Sequence, residues 1–224
     1  QFHPVGQGLF ATGDLRQSNH VHGTNDRLMM KFSWVYDCGT TSSQSLIDVA
    51  LDQYDHFVGA SQGIGLVVLS HFDKDHITGV VRLLKRHDVD VLLLPYVPLH
   101  QRLLIAMIEG EAASSSTMKF LLDPVGFVRG ANVRGVKRIV FVPPSIERVP
   151  PSENNPESGL LPDNWDLQFD TTEAEGVPAY SEDTLAPVTM LAPGANLRLA
   201  NIWEFVPYND ATLSHSPDDV FVKA

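Results

Sequence analysis

Four side chains that commonly bind metal ions lie within six residues of this sequence: His71, Asp73, Asp75 and His76. On a loop, residues two apart can point the same way, so His71, Asp73 and Asp75 can converge while His76 closes the group from the other side. Imidazole and carboxylate ligands suit zinc, iron or manganese. Four such groups are enough to begin a two-metal site, in which one ion holds a hydroxide and the other polarises the group under attack.

The simpler alternative for this cluster is a solvated polar loop with an ion pair through Lys74. The position of the cluster favours the metal site. Residues 65–70 form a short apolar run, which is typical of a strand covered on both faces. The cluster follows the carboxyl end of this strand and precedes Gly79 and an amphipathic stretch that predicts a helix to about Arg86. Open α/β sheets bind their ligands at such strand ends.

The rest of the pattern predicts an α/β chain whose early strands form a hairpin with a polar turn over residues 13–25. The capping residues 41–43 predict the start of a helix. Residues 143–193 are rich in prolines and acids and predict a long loop or insertion packed at one edge. The predicted strands are 5–11, 30–36, 65–70, 89–94, 136–142, 188–191, 197–199 and 202–206, and further helical segments are predicted over 103–108 and 118–122.

Length and composition predict one globular domain over residues 1–224, because 224 residues suffice for one sizeable core and 43% of them are hydrophobic. The formal net charge of −11 argues against a general nucleic-acid coat, which would need a local basic patch or bound metal. Cys38 is the single cysteine and excludes an internal disulfide framework. Apolar runs are too short to span a bilayer and the start does not resemble a signal peptide, so we expect a cytoplasmic protein without membrane contact.

The cluster resembles the signature of the metallo-β-lactamase fold superfamily, H-x-H-x-D-H followed by glycine. Ser70-His71-Phe72-Asp73-Lys74-Asp75-His76-Ile77-Thr78-Gly79 matches that pattern except that Asp73 stands in place of the second histidine. Val5-Gly6-Gln7-Gly8 and Asp37-Cys38-Gly39 are similar to the subgroup that includes the metallo-β-lactamase domain of competence-type DNA-uptake proteins. The resemblance covers roughly residues 5–95 and implies a four-layer αββα sandwich.

The resemblance also implies roles for individual residues. His71 and Asp73 would hold one divalent ion, and Asp75 and His76 would hold a second, with zinc expected and manganese or iron as alternatives. Asp75 would also accept a proton from the attacking water, while Asp37 would support the ligands from behind. Downstream, the resemblance implies a bridging aspartate and a last histidine, for which the candidates are Asp210 and His215.

Other chemically capable residues have ordinary interpretations. His87 is predicted at the surface at a helix end, and His100 follows a strand too closely to match the family pattern. His20 and His22 are expected in a solvated turn, and Cys38 is expected to be a small buried residue rather than a nucleophile. The basic residues that could form a local anion-binding groove are Arg82, Lys85, Arg86, Arg129, Arg134, Lys137 and Arg138.

These expectations favour a metal-dependent hydrolase, and the resemblance points to a phosphodiester in a nucleotide or nucleic acid as its substrate. A second hypothesis is a non-catalytic module that binds a protein partner through residues 143–193. Such a module is similar to components of bacterial antiphage defence operons. A third is a lactonase- or thioesterase-like enzyme that uses the same ions.

Overall fold

The computed structural model describes residues 1–18, 28–58, 63–145, 165–172, 187–199 and 202–210. Its helices are α1 (Gln44–Val58), α2 (Lys74–Ile77), α3 (Val80–Arg86), α4 (Leu99–Ile108), α5 (Ser116–Leu122) and α6 (Pro124–Gly130). Its strands are β1 (Phe10–Ser18), β2 (Leu28–Cys38), β3 (Ile64–Val68), β4 (Asp88–Pro95), β5 (Gly135–Val142), β6 (Leu167–Gln168), β7 (Thr171–Thr172), β8 (Val188–Leu191), β9 (Leu197–Leu199) and β10 (Trp203–Phe205).

The strands form two sheets, which confirms the α/β class. The larger sheet has seven strands in the order β1-β2-β3-β4-β5-β8-β7. Strands β2, β3, β4, β5 and β8 are parallel, whereas β1 and β7 pair antiparallel at the two edges. The smaller sheet is antiparallel, in the order β10-β9-β6.

Both faces of the larger sheet are buried, because its central strands alternate apolar residues between two cores. On one face, Leu92, Leu94 and Ile139 pack in the same core as helical residues of α1, α3 and α5. On the other face, Leu93 and Val140 pack with residues of the three-stranded sheet. The helices, the large sheet and the small sheet therefore make three layers. The described ranges contain no fourth, helical layer.

Several local differences from the predictions have physical reasons. Strand β1 continues through residues 13–18, which were predicted as a turn, because the hairpin pairing extends to Ser18 and Leu28. Helix α6 was not predicted; the Asp123 carboxylate accepts a hydrogen bond from Gly126 N at 2.9 Å and Pro124 starts the helix. Where it is described, the segment 143–193 contributes strands to both sheets.

The topology brings the ends of several strands to one edge of the large sheet. Parallel strands share a direction, so the residues that follow β2 and β3 meet at their carboxyl ends. Asp37 lies in the last residues of β2, and His71 follows shortly after β3. No helix in the described part of the chain is both long and apolar enough to cross a bilayer.

Candidate metal centre

A chain of hydrogen bonds fixes both histidines of the cluster from behind. The backbone and side-chain hydroxyl of Ser70 donate to the two carboxylate oxygens of Asp37, at 2.7 and 2.6 Å. His76 Nδ1 lies 2.8 Å from Asp37 Oδ2, and His71 Nδ1 lies 2.7 Å from Ser70 Oγ. Because Asp37 only accepts and the Ser70 proton is already used, both Nδ1 atoms carry the ring proton and donate. In the neutral form of each ring, Nε2 therefore keeps its lone pair.

These free Nε2 atoms face carboxylates at a spacing suited to a shared ion. His71 Nε2 is 3.5 Å from Asp73 Oδ2, and His76 Nε2 is 3.5 Å from Asp75 Oδ2. Two ligands about 2.0–2.2 Å from a tetrahedral zinc ion lie about 3.4 Å from each other. The two imidazole rings lie 3.7 Å apart between their centroids, so the pairs adjoin. Nitrogen and oxygen ligands at this spacing fit a divalent cation.

Five side chains offer ligand atoms in two overlapping groups of three. Within each group, the three ligand atoms lie within 4.8 Å of one another. One group contains Asp37, His71 and His76, and the other contains His71, Asp73 and Asp75. Asp37 is completely buried, and its carboxylate oxygens accept hydrogen bonds from Ser70 and His76. It therefore orients a ligand rather than acting as a ligand itself. Metal-binding histidines are commonly oriented by such a carboxylate.

The charge of the cluster favours a cation. Asp37, Asp73 and Asp75 form ion pairs only with the two histidines among the residues described. Lys74, inside the motif, points away: its Nζ contacts Glu111 Oε1 at 2.7 Å and the Glu109 carbonyl at 3.1 Å. The ion pair anticipated for a solvated loop thus exists but does not neutralise the carboxylates of the cluster.

Asp73 is available to a ligand, whereas the surroundings of His76 favour its protonated form. Asp73 occupies the N-cap of α2, where an aspartate normally accepts a backbone hydrogen bond, yet its side chain makes no such bond. Its carboxylate is 45% exposed and available to a ligand. Burial lowers the pKa of His76, but the hydrogen bond and charge of Asp37, with the charges of Asp75 and Asp73, outweigh it and raise the pKa overall.

Close backbone packing explains the glycines of the two early motifs. A Cβ on Gly39 would lie 2.5 Å from backbone atoms of His76, and one on Gly8 would lie 2.7 Å from the Asp75 carbonyl. Leu9 N donates to that Asp75 carbonyl at 3.0 Å, and Gly79 N donates to the Cys38 carbonyl at 2.8 Å. The segments 5–8 and 37–39 therefore form the floor on which the ligand turn rests.

The downstream candidates do not join this group in the described residues. Asp210 makes an isolated parallel bridge with Ser145 beyond β5 and belongs to neither ligand group. His215, with His20 and His22, lies outside the described ranges. The roles implied for Asp210 and His215 thus stay predictions.

The structure corrects one of the ordinary interpretations and supports two. His87 was predicted at the surface but is only 3% exposed, because its ring packs against Tyr54 and its Nε2 lies 2.7 Å from Asp55 Oδ1. His100 is exposed at the start of α4. Cys38 is buried, and burial raises the pKa of its thiol well above the ordinary value. A buried, protonated thiol is a poor nucleophile.

Apart from Asp37, sequence reasoning missed the residues that position the cluster. Ser70 stands next to His71, so its place in the motif was a usable signal for its role. The carboxylates of Glu109 and Glu111 were not foreseeable, because they reach Lys74 from the loop after α4, at least 35 residues away. Ser115 in turn donates to Glu111, which ties this loop to the start of α5.

Three of the seven cations of the predicted basic groove form ion pairs with aspartates. Arg86 pairs with Asp52 and Asp55, at 2.6 and 2.8 Å, and Lys137 pairs with Asp90 at 2.7 Å. The remaining ion pairs and contacts are Arg82 with Asp48, Arg134 with the Arg86 carbonyl, and Arg138 over the Phe169 ring. Arg82, Arg86 and Lys137 would have to exchange these partners to bind a nucleic-acid backbone.

Comparisons with known proteins assign no family. No family model matches the chain, and searches of curated proteins and of solved structures find no significant match. The resemblance of the motif to the metallo-β-lactamase superfamily therefore remains a hypothesis from sequence.

Proposed function

We propose that the chain is a metal-dependent hydrolase with a metallo-β-lactamase-like αββα sandwich, and that His71, Asp73, Asp75 and His76 hold two divalent ions, preferably zinc. The observation that carries this proposal is the orientation of the histidines. Both Nδ1 atoms are engaged by Asp37 and Ser70, and both Nε2 atoms face a carboxylate at 3.5 Å. When bound, the ions would make water acidic enough to attack near neutral pH and would offset charge on the reacting group.

The residues of the cluster would divide the remaining work. Asp75 is one-third exposed and would accept the proton that the attacking water loses. Asp37 would keep His76 in one tautomer, and Ser70 would do the same for His71. This division needs no movement of the backbone, since the hydrogen bonds behind the ligands are already formed.

A phosphodiester is the proposed scissile group, on the strength of the motif's resemblance. The pairing of Arg86, Lys137 and Arg82 with aspartates supports a small nucleotide rather than a long nucleic acid. Long nucleic acids need several unpaired cations along their backbone.

The test combines metal content with hydrolysis. Protein purified without chelators is expected to contain about two equivalents of zinc, manganese or iron by mass spectrometry, and to hydrolyse bis(p-nitrophenyl) phosphate. The double variant Asp75→Ala, His76→Ala should lose both properties. The matched control Asp90→Ala, His100→Ala removes the same residue types from β4 and α4 and should retain both.

One observation favours the non-catalytic module as a second candidate: Asp210 joins neither ligand group. A chain with a partial ligand set would act through a protein partner, which we placed at residues 143–193, in the manner of antiphage defence components. Folded protein that neither contains nor takes up metal would favour this module. Metal uptake with hydrolysis of a lactone but not of the phosphodiester would instead favour the lactonase-like enzyme.

A further inference from the structure

A second concave site lies in the helical layer, outside the ligands of the proposed metal centre. It is a cavity of about 400 Å³ between α3, α5, α6 and the start of α1. Cavities of about 300–1,000 Å³ with mostly apolar linings are the usual size for small-molecule sites. The lining residues that matter for a ligand are Ile77, Val80, Lys85, Thr117, Phe120 and Phe127.

The interior of this cavity is apolar and aromatic. Ile77 and Val80 are buried on one side, and the rings of Phe120 and Phe127 stand nearly perpendicular on the other, 5.7 Å apart between centroids. The two rings contact each other, and the half-buried Phe127 presents aromatic surface on which a flat ligand can pack. The shape and chemistry of the lining therefore suit an aromatic body.

The charge of the rim is opposite to that of the chain. The sequence carries 27 acidic and 16 basic residues, yet the residues lining the cavity include two cations and no acid. Arg82 is held by the Gln44 side chain and, at 3.5 Å, by Asp48. Lys85 is exposed and has no ion-pair partner among the described side chains, so its ammonium is available to a ligand.

We propose that this cavity binds a small organic anion with an aromatic body, whose anionic group pairs with Lys85 and whose ring packs against the apolar wall formed by Phe120 and Phe127. A single molecule of this kind fits a cavity of this volume, whereas a polymer would need cations beyond its rim. The site goes beyond the proposed hydrolase activity and does not depend on it. Ser116 and Thr117 also line the cavity, and their hydroxyl groups can donate hydrogen bonds to a ligand.

The test uses two fluorescent probes with the same kind of aromatic body. 8-Anilinonaphthalene-1-sulfonate is anionic and N-phenyl-1-naphthylamine is uncharged. Titration of the full chain should show one saturable site for each probe. Lys85→Ala should weaken binding of the anionic probe about fivefold, which corresponds to one partly exposed ion pair. It should change binding of the neutral probe less than about twofold.

The matched control is Lys119→Ala, which removes the same charge from an exposed position on α5 that does not line the cavity. It should leave both affinities unchanged. Thr117→Trp, with Ser116→Trp as a second variant should the first fail to fold, should fill the cavity and abolish binding of both probes. The proposal would be overturned if Lys85→Ala and Lys119→Ala weakened binding of the anionic probe equally, or if both probes still bound to the tryptophan variants.

Discussion

Two histidine–aspartate pairs in this chain have nearly the same contact distance and opposite surroundings. His76 Nδ1 lies 2.8 Å from Asp37, and His87 Nε2 lies 2.7 Å from Asp55. In the first pair the carboxylate is fully buried and the ring reaches outward with its second nitrogen free. In the second pair the ring is buried and the carboxylate is 31% exposed, shared with Arg86.

The difference shows that a histidine–aspartate pair is not by itself a sign of a metal site. The second nitrogen of His87 is buried without a hydrogen-bond partner among the described atoms, so no ion can reach it. The second nitrogen of His76 faces the Asp75 carboxylate at the sheet edge. Which end of the pair is buried decides whether the histidine can bind a ligand or only anchors the core.

The largest effect should come from breaking the first pair at Asp37. Asp37→Ala removes the acceptor for Ser70 and His76 and leaves buried donors unsatisfied, so we expect a loss of about 3–5 kcal/mol in the free energy of unfolding. Chemical denaturation measures it. Asp37→Asn keeps an acceptor oxygen and tolerates the positive φ of 56°, so it should lose less stability while weakening metal binding about 10–100-fold. Equal losses of stability in Asp37→Ala and Asp37→Asn would contradict the role assigned to the hydrogen bonds.

The second pair should separate stability from metal binding. His87→Ala opens a cavity beside Tyr54 and removes the Asp55 contact, which should cost about 2 kcal/mol and leave metal content unchanged. His76→Ala should do the reverse: metal is lost, and the metal-free protein loses only about 1 kcal/mol, because Ser70 still satisfies Asp37. Denaturation curves of metal-free protein, beside metal analysis, measure both. Loss of metal in His87→Ala at unchanged fold would contradict the comparison.

A smaller effect extends the comparison to His3, whose ring is buried without an aspartate. It stacks on Phe10 at 4.3 Å and its Nε2 lies 3.0 Å from Thr12 Oγ1. Burial lowers the pKa of His3 below its ordinary value of 6.5. The unfolded chain therefore takes up this proton at higher pH than the folded chain.

The stability that neutral His3 contributes should be complete above about pH 6.5 and be lost as the pH falls, by at most about 1.4 kcal/mol per pH unit. His3→Phe keeps the stacking and removes the titration, so its unfolding free energy should fall less between pH 7 and pH 5.5. His100→Gln removes an exposed histidine and should follow the parent chain. A parallel decline of parent and His3→Phe would rule out this contribution.

The elements that position the cluster could be predicted because their signals are local. The apolar runs before His71 and in β4 and β5, and the capping residues before α1, are each signals of a single element. Helix α1 shows the limit of such signals, since its apolar residue Val49 is 53% exposed while Ile47 and Leu51 are buried. The direction from which the sheet covers a helix is a tertiary property.

Within the site, the four ligand candidates are close in sequence, and their grouping was foreseeable. The free Nε2 atoms were not, because they depend on Asp37, which lies 33 residues before Ser70 and 39 before His76. The burial of His87 was also not foreseeable, because it depends on Tyr54 and Asp55 of α1, and Asp55 lies 32 residues earlier in the sequence. The two histidine–aspartate pairs therefore differ through long-range packing rather than through local pattern.

The floor formed by Gly8 and Gly39 has a consequence for any attempt to isolate this chemistry. A short peptide that spans residues 70–79 would carry all four ligand candidates and yet leave both imidazoles free to exchange tautomers and rotate. Transplanting the motif to another scaffold would require three separate pieces of chain, the two glycine segments and the ligand turn, to be moved together.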